Sequence, residues 1–230
     1  MLLSVIIPVF NGEQTLRRCL DSVLAQITEE MQVLVVNDGS TDKTADMLDE
    51  YARAHATIKV FTQQNRGQAA ARNLALEHAS GKWVCFVDAD DYWGEGYIAQ
   101  LLEELSDHID VLQTGFTQLR PIRSKRKYRF LSAWSKVVRL DFLKKHHILF
   151  PEGLYYDDPV WAARLWQAKP RIALSNNTKY QYTINKQSIT ANPKPTAPVR
   201  KELRNMGLRP WSFGWLRTRL TFHFIKNHHL

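Results

Sequence analysis

Three carboxylates, Asp88, Asp90 and Asp91, fall within four residues directly after the apolar run Trp83-Val84-Cys85-Phe86-Val87. Mutual repulsion and loss of water disfavour so many charges in one place, and a bound cation relieves that cost. In extended backbone Asp88 and Asp90 project to the same side, which suits a hard divalent ion such as Mg²⁺ or Mn²⁺ with oxygen ligands. The plainer alternative is a turn that caps the next helix. A second polar cluster is Asn37-Asp38-Gly39-Ser40-Thr41-Asp42. Gly39 permits a tight turn, and Ser40 or Thr41 can cap a helix that begins near residue 43. Capping needs only one acid, so Asp38 is expected to be free to accept a hydrogen bond from a nucleobase imide. Arg72, on a helix entered through Asn65-Arg66-Gly67, could reach a diphosphate, although a lone helical arginine more often lies on a solvated face.

The elements that must position these residues are legible from hydrophobic periodicity. Continuous apolar runs at 3–10, 32–37, 58–62 and 83–87 are each followed by a polar turn and a helix-like segment. That alternation predicts a parallel sheet buried on both faces. The predicted helix 13–26 carries Leu16, Cys19, Leu20, Val23 and Leu24 at spacings of three and four, and 43–54 and 68–79 follow the same rule. Ligands of open parallel sheets bind beyond the carboxyl ends of the strands. Phe10, Asn11 and Glu13, the 37–42 cluster and the 88–91 acids therefore converge on one edge. From about residue 110 the pattern becomes irregular, with extended stretches at 110–118 and 179–184 and helices at 139–146 and 159–168. This half is expected to be a mixed α/β continuation packed on the first sheet. The segment Pro193 to Pro198 reads as an extended linker, because each proline biases its predecessor away from helix, and a basic aromatic tail follows it.

A length of 230 residues with 44% apolar composition suffices for one α/β domain and a small appendage. The net charge of +8 conceals an asymmetry. Residues 1–119 hold 8 Lys/Arg against 18 Asp/Glu, a net of −10, whereas 120–230 hold 23 against 5, a net of +18. Such a bias suits nucleic acid, anionic lipid or an acidic substrate. The run Arg120 to Arg129 has six basic residues and no acid, and the tail mixes Lys/Arg with Trp211, Phe213, Trp215, Phe222 and Phe224. That composition fits an anionic membrane surface, or equally a helix packed on the domain with a solvated basic face. A nucleic-acid-binding protein is the rival from another class, opposed by the acidic first half and the lack of a recognisable binding motif. A nucleotidyltransferase would carry a Gly-rich, basic phosphate loop near its first strand, and residues 8–17 show none. Cys19 and Cys85 are expected to be buried thiols in a reducing compartment. The apolar residues 1–8 are far shorter than the roughly 20 of a membrane span and lack a basic leader, so they read as a first strand with no secretion signal.

The ordered set Val5-Ile6-Ile7-Pro8-Val9-Phe10-Asn11, Val36-Asn37-Asp38-Gly39-Ser40-Thr41-Asp42, Gly67 through Ala71-Arg72-Asn73, and Phe86-Val87-Asp88-Ala89-Asp90-Asp91 resembles the family 2 glycosyltransferases of the GT-A fold. The match is close over residues 3–91 and looser to about 190. The resemblance implies a mostly parallel sheet flanked by helices, a catalytic domain over 1–192 with a nucleotide-sugar half (1–115) and an acceptor half (116–192), and a linker with a basic helical tail over 193–230. It further implies that Pro8, Phe10 and Asp38 line the nucleotide pocket with Asn11 and Glu13 beside them and Arg72 nearby. Asp88, Ala89, Asp90 and Asp91 would take ribose, diphosphate and a divalent cation, Mn²⁺ or Mg²⁺, between them. In the segment Gly153 to Trp161 the family commonly has a Glu-Asp pair whose second acid is the base of inverting members. Here the pair is Asp157-Asp158, which makes Asp158 the base and Asp157 an acceptor contact. Read alone, Asp158 before Pro159 is an N-cap arrangement, and a helix N-terminus would also orient it as a base. Ser132-Ala133-Trp134-Ser135-Lys136 resembles a family segment in which Trp and Lys flank a small polar residue, often Asn. Trp134 then stacks on an acceptor sugar, or is core. The activity implied is inverting transfer from a nucleotide-diphospho-sugar, most commonly of UDP, to a saccharide or glycolipid in polysaccharide or lipopolysaccharide synthesis. The implied location is cytoplasmic or peripheral at the inner membrane face, with no nucleic acid as partner.

Overall fold

Leu3–Val9 and Met31–Asn37 are buried at every position, as strands covered on both faces must be. In the computed structural model, which describes residues 1–118, 131–183 and 196–208, they are β1 and β2 of a seven-stranded sheet. In chain order the elements are β1 Leu3–Val9, α1 Leu16–Leu24, β2 Met31–Asn37, α2 Thr44–Ala54, β3 Ile58–Thr62, α3 Gln68–His78, β4 Trp83–Phe86, β5 Tyr92–Trp93 and α4 Tyr97–Glu104. There follow β6 Val111–Gln113, β7 Thr117–Gln118, a 3₁₀ turn at Ala133–Ser135, β8 Lys136–Arg139, α5 Leu140–Lys145, α6 Asp158–Gln167, β9 Ile172–Leu174, β10 Tyr180–Tyr182 and α7 Ala197–Asn205.

The large sheet runs β3-β2-β1-β4-β8-β6-β9, and β5-β10-β7 form a small second sheet. β1 lies between β2 and β4 and is parallel to both, so the strand order reverses there. That reversal leaves a crevice beyond the carboxyl ends of β1 and β4, the usual ligand position of such sheets. β8 is antiparallel to β4 and β6, which makes the second half mixed as expected. Alternate residues supply the two faces of the core, because side chains alternate along a strand. Ile6, Leu34, Val36 and Phe86 meet Ala69, Ala71 and Ala75 of α3, Trp161 of α6 and Val199 of α7. Val5, Ile7, Val33 and Val35 meet Leu16 and Leu20 of α1, Leu48 of α2 and Leu101 of α4 on the other face.

The predicted elements appear with shifts at their ends. The first helix starts at Leu16 rather than residue 13, because residues 12–15 form a turn whose Gly12 carbonyl accepts the Leu16 N–H at 2.9 Å. The stretch 110–118 divides into β6 and β7, which belong to different sheets. The expected linker through Pro198 is corrected: Ala197 already begins α7, with Pro198 in its first turn, where a missing N–H has no helical partner to lose. α7 buries Val199 and Leu203, and Glu202 pairs with Arg164 of α6 at 3.1 Å, so this part of the tail belongs to the domain core. The run Arg120 to Arg129, residues 193–195 and residues 209–230 with their tryptophans and phenylalanines lie outside the described residues. Cys19 and Cys85 are buried free thiols, as expected. Among the described residues no helix is long and apolar enough to cross a membrane.

Candidate active site

At the end of β1, Pro8 is buried beside Val36 and Phe10 emerges half exposed. Asn11 has a left-handed backbone (φ 51°), a conformation asparagine tolerates better than most residues. Its N–H donates to Ser40 Oγ at 2.9 Å, and its Oδ1 accepts the Thr41 N–H at 2.8 Å. The Glu13 N–H donates to Asp42 at 3.1 Å, and its Oε2 accepts the Lys43 N–H at 3.3 Å. Asn11 and Glu13 therefore stitch the β1–α1 loop to the β2–α2 loop. Asp38 is not the free acceptor that the sequence predicts. Its Oδ1 accepts from Gln63 Nε2 at 2.6 Å and the Arg66 N–H at 2.9 Å, and its Oδ2 accepts the Gly67 N–H at 2.8 Å. A carboxylate offers about four lone-pair positions, so about one remains. Gly39 (φ +73°) permits this arrangement, since a Cβ there would stand 2.7 Å from the Asn65 nitrogen.

The acidic segment after β4 is a turn, closed by the Asp91 N–H on the Asp88 carbonyl at 2.9 Å, and not extended backbone. The turn separates the three acids. Asp91 swings inward and is wholly buried, its carboxylate accepting Tyr180 OH and the Thr183 N–H, both at 2.7 Å. Tyr180 Oη in turn accepts the Asp88 N–H at 3.2 Å. Burial, then the charges of Asp88 and Asp90, pushes the Asp91 carboxyl well above its ordinary range against those two bonds. Asp91 is thus corrected from metal ligand to anchor of the turn. Among the described residues no three or more His, Cys, Asp or Glu side chains gather as a metal cluster. Arg18 completes the hold, donating to the Asp90 carbonyl at 2.8 Å and to Thr183 Oγ1 at 3.1 Å, with its guanidinium 4.6 Å from the Tyr92 ring. Ala89 packs against the core behind the turn.

Arg72 is 1% exposed, which corrects the expectation of a solvated face. Its Nη2 donates to Asp88 Oδ1 at 2.8 Å, and its Nη1 donates to Asp157 Oδ2 at 3.0 Å and Asp158 Oδ1 at 2.9 Å. Gln68 adds a bond to Asp88 Oδ1 at 3.0 Å. One cation therefore serves three carboxylates. Burial is the main cause that raises Asp88 to about 6 and Asp157 to about 7; Arg72 opposes it, and the neighbouring acids reinforce it. Burial works against the Arg72 charge as well, but Asp158, Asp157 and Asp88 outweigh it and hold the guanidinium protonated.

Asp158 is the first residue of α6 and Asp157 is the N-cap, with neither side chain capping. The expected capping role of Asp158 is corrected: its Oδ2 accepts the Ala133 N–H at 3.2 Å, across the site instead of along its own helix. The side chains of Asp88 and Asp158 are 21% and 23% exposed, whereas that of Asp157 is 6% exposed, so the first two face the crevice and the third lies behind them. Trp134 is buried and stacks on Tyr180 (4.8 Å) and Tyr182 (5.6 Å), with Phe116 edge-on at 4.9 Å. It is a core residue, not an exposed sugar platform. Arg18, Gln68 and Tyr180 were not anticipated; only the alternation of Tyr180-Gln181-Tyr182 signals that Tyr180 faces inward.

Residues 4–161 match the family model described as Glycosyl transferase family 2. The uncharacterized glycosyltransferase YibD of Escherichia coli (strain K12) is 30% identical over 217 residues, covering 82% of this chain and 63% of that protein. The poly(ribitol-phosphate) beta-glucosyltransferase of Bacillus spizizenii is 26% identical over 81% of this chain and 33% of its own length. Among solved structures, S. aureus TarS 1–349 in complex with UDP-GlcNAc superimposes with a TM-score of 0.79 at 26% identity, over 89% of this chain and 65% of that one. The chain thus spans less than two thirds of these relatives' lengths.

Proposed function

The chain belongs to glycosyl transferase family 2, and from that premise we propose that it transfers a sugar from a nucleotide-diphospho-sugar, with inversion, to a saccharide acceptor of a cell-surface polymer. The observation that carries this reading is the convergence of Asp88, from the end of β4, and Asp158, from the start of α6, on one buried guanidinium at the strand-order reversal. A donor-side acid and a candidate base are thereby held side by side at the mouth of the crevice.

Asp158 is the base in this reading. Arg72 holds its Oδ1 and Ala133 its Oδ2, and its partial exposure leaves lone pairs for an acceptor hydroxyl. The hydroxyl oxygen attacks the anomeric carbon, the bond to the diphosphate oxygen breaks, the nucleoside diphosphate leaves and the hydroxyl proton passes to Asp158. Asp88 and Asp90 would hold a divalent cation, Mn²⁺ or Mg²⁺, because Asp88 Oδ1 is taken by Arg72 and Gln68 while Oδ2 remains. One or two carboxylates completed by phosphate oxygens and water suit such an ion. When bound it supplies charge stabilisation to the leaving diphosphate. Pro8, Phe10 and the remaining acceptor position of Asp38 form the base-binding wall. The likeness to TarS with UDP-GlcNAc supports a UDP-sugar donor, and the likeness to a poly(ribitol-phosphate) glucosyltransferase supports a cell-envelope polymer or glycolipid acceptor. Such an acceptor places the protein in the cytoplasm or against the anionic inner membrane face, where the exposed Arg200, Lys201 and Arg204 of α7 could contact lipid headgroups.

The test is a donor panel read by thermal stabilisation and by release of nucleoside diphosphate. A UDP-sugar with Mn²⁺ should raise the melting temperature of both the wild-type protein and Asp158→Asn, since binding to the native state stabilises it. Turnover by Asp158→Asn should fall at least about a hundredfold, within the range for a general base. Near-normal turnover by the folded variant overturns the assignment.

A further inference from the structure

Lys136, the first residue of β8, is wholly enclosed, a setting in which an ammonium group is strongly disfavoured. Its Nζ donates to the Ser132 carbonyl at 2.7 Å, lies 3.5 Å from Ser135 Oγ, and stands 5.7 Å from the centre of the Trp166 ring. Ser135 Oγ donates to the same Ser132 carbonyl at 2.8 Å. At the other end of the 3₁₀ turn, the Ser135 carbonyl accepts from Gln113 Nε2 at 2.7 Å and the Thr114 N–H at 2.9 Å. The turn is therefore pinned at both ends, and the N–H of its first residue, Ala133, donates to Asp158 Oδ2. Burial pulls the Lys136 ammonium down to about 7, while the charge of Asp158 holds it up.

An apolar side chain of the same shape would fill this space without the desolvation penalty, and replacing buried charges in that way is often neutral or stabilising. What methionine could not do is bind the Ser132 carbonyl, which belongs to the same peptide unit as the Ala133 N–H on Asp158. We infer that Lys136 is a positioning residue for Asp158: it fixes the 3₁₀ turn so that the Ala133 N–H stays on Oδ2, and with Arg72 on Oδ1 the carboxylate has one orientation. The inference rests on Asp158 as the base of the proposed reaction.

Three variants test it. Lys136→Met removes charge and donors, Lys136→Gln keeps a donor, and Ala133→Pro replaces the N–H that Asp158 accepts with a ring carbon. The proline suits the backbone, since Ser132 (φ −73°, ψ 136°) already has the conformation a residue before proline adopts and Ala133 begins a helical turn. Lys136→Met should fold, leave the donor KM within about threefold, and lower kcat roughly 10- to 100-fold, the scale of a misplaced catalytic group. Lys136→Gln should fall between it and the wild type. The double variant with Ala133→Pro should be no slower than the worse single variant, because both act through one bond. In selectively labelled protein the Ala133 amide resonance should move in Lys136→Met, and in Lys136→Gln, toward its position in Asp158→Asn, a readout that needs no turnover. An unmoved amide with kcat within twofold of wild type, or losses that multiply in the double variant, overturns the inference. If transfer is absent in every protein but the amide still moves, the proposed reaction fails and the positioning role stands. Should Lys136→Met not fold, Lys136→Gln decides on the same amide and kcat.

Discussion

Asp38 and Asp91 are as buried as Asp157 and more deeply buried than Asp88 and Asp158, yet they are held in the opposite way to the acids around Arg72. Asp38 receives a side-chain amide and two backbone N–H groups, and Asp91 receives a phenol and a backbone N–H. Each has its own neutral donors. Asp88, Asp157 and Asp158 instead divide a single guanidinium, which leaves an excess of negative charge at the mouth of the crevice. Burial alone therefore does not mark a reactive acid; incomplete neutralisation does, because only there is there capacity left for a cation or a proton.

The contrast is broken most forcefully at its hinge. Arg72→Met strands three buried acids, and removing one partner of a buried ion pair costs about 3–5 kcal/mol; urea unfolding should show that loss, and a change below about 1 kcal/mol would mean that the trio needs no counter-charge. Asp90→Ala should lower turnover at least about a hundredfold while leaving the fold intact, the scale for a charge-stabilising group; measured against Mn²⁺ concentration, it should also lose the metal response. Asp91→Asn should act on stability, by about 1–3 kcal/mol for disturbed buried bonds, with turnover per folded molecule changed only a few-fold. A collapse of turnover in folded Asp91→Asn would move that acid into the reactive group. The gentlest probe is pH. Asp157 keeps its proton to about 7 in the folded state because it is buried, whereas an unfolded aspartate releases it near 3.8. Between those values the folded state binds more protons, so stability of the metal-free protein should decline as pH rises from about 4 to about 7 and level off above. Asp88, raised to about 6, and Asp91, raised well above its ordinary range, add to the same decline. Asp157→Asn should lessen the decline, most of all between about 6 and 7, without abolishing it.

Much of the fold was legible because its first half obeys one rule: continuous apolar runs become parallel strands, and polar residues after them meet at one edge. The resemblance in residues 3–91 and the pair Asp157-Asp158 likewise pointed to acids that the structure brings together. What could not be read was which partner each acid takes. Arg72 is 16 residues from Asp88 and 85 from Asp157, and no spacing rule connects positions on separate elements. Asp90 and Asp91 are adjacent in sequence, but the Asp88–Asp91 turn leaves one partly exposed and buries the other in the core. Asp158 beside Pro159 carries the local signature of a cap, and a tertiary partner, the Ala133 N–H, overrides it. Trp134 gave no sign of its ring partners, which come from β10 and from the loop before β7.

Tyr180 touches both sides of the crevice at once. Its hydroxyl sits between the Asp88 N–H and the Asp91 carboxylate, and its ring lies flat on Trp134, next in the chain to the residue that holds Asp158. The thickness of one aromatic ring is thus the gauge block between the Asp88–Asp91 turn and the 3₁₀ turn that holds Asp158. A chimaera that grafted another protein's second half onto this sheet would need a ring of matching width at this position, or Asp158 would stand out of line with Asp88.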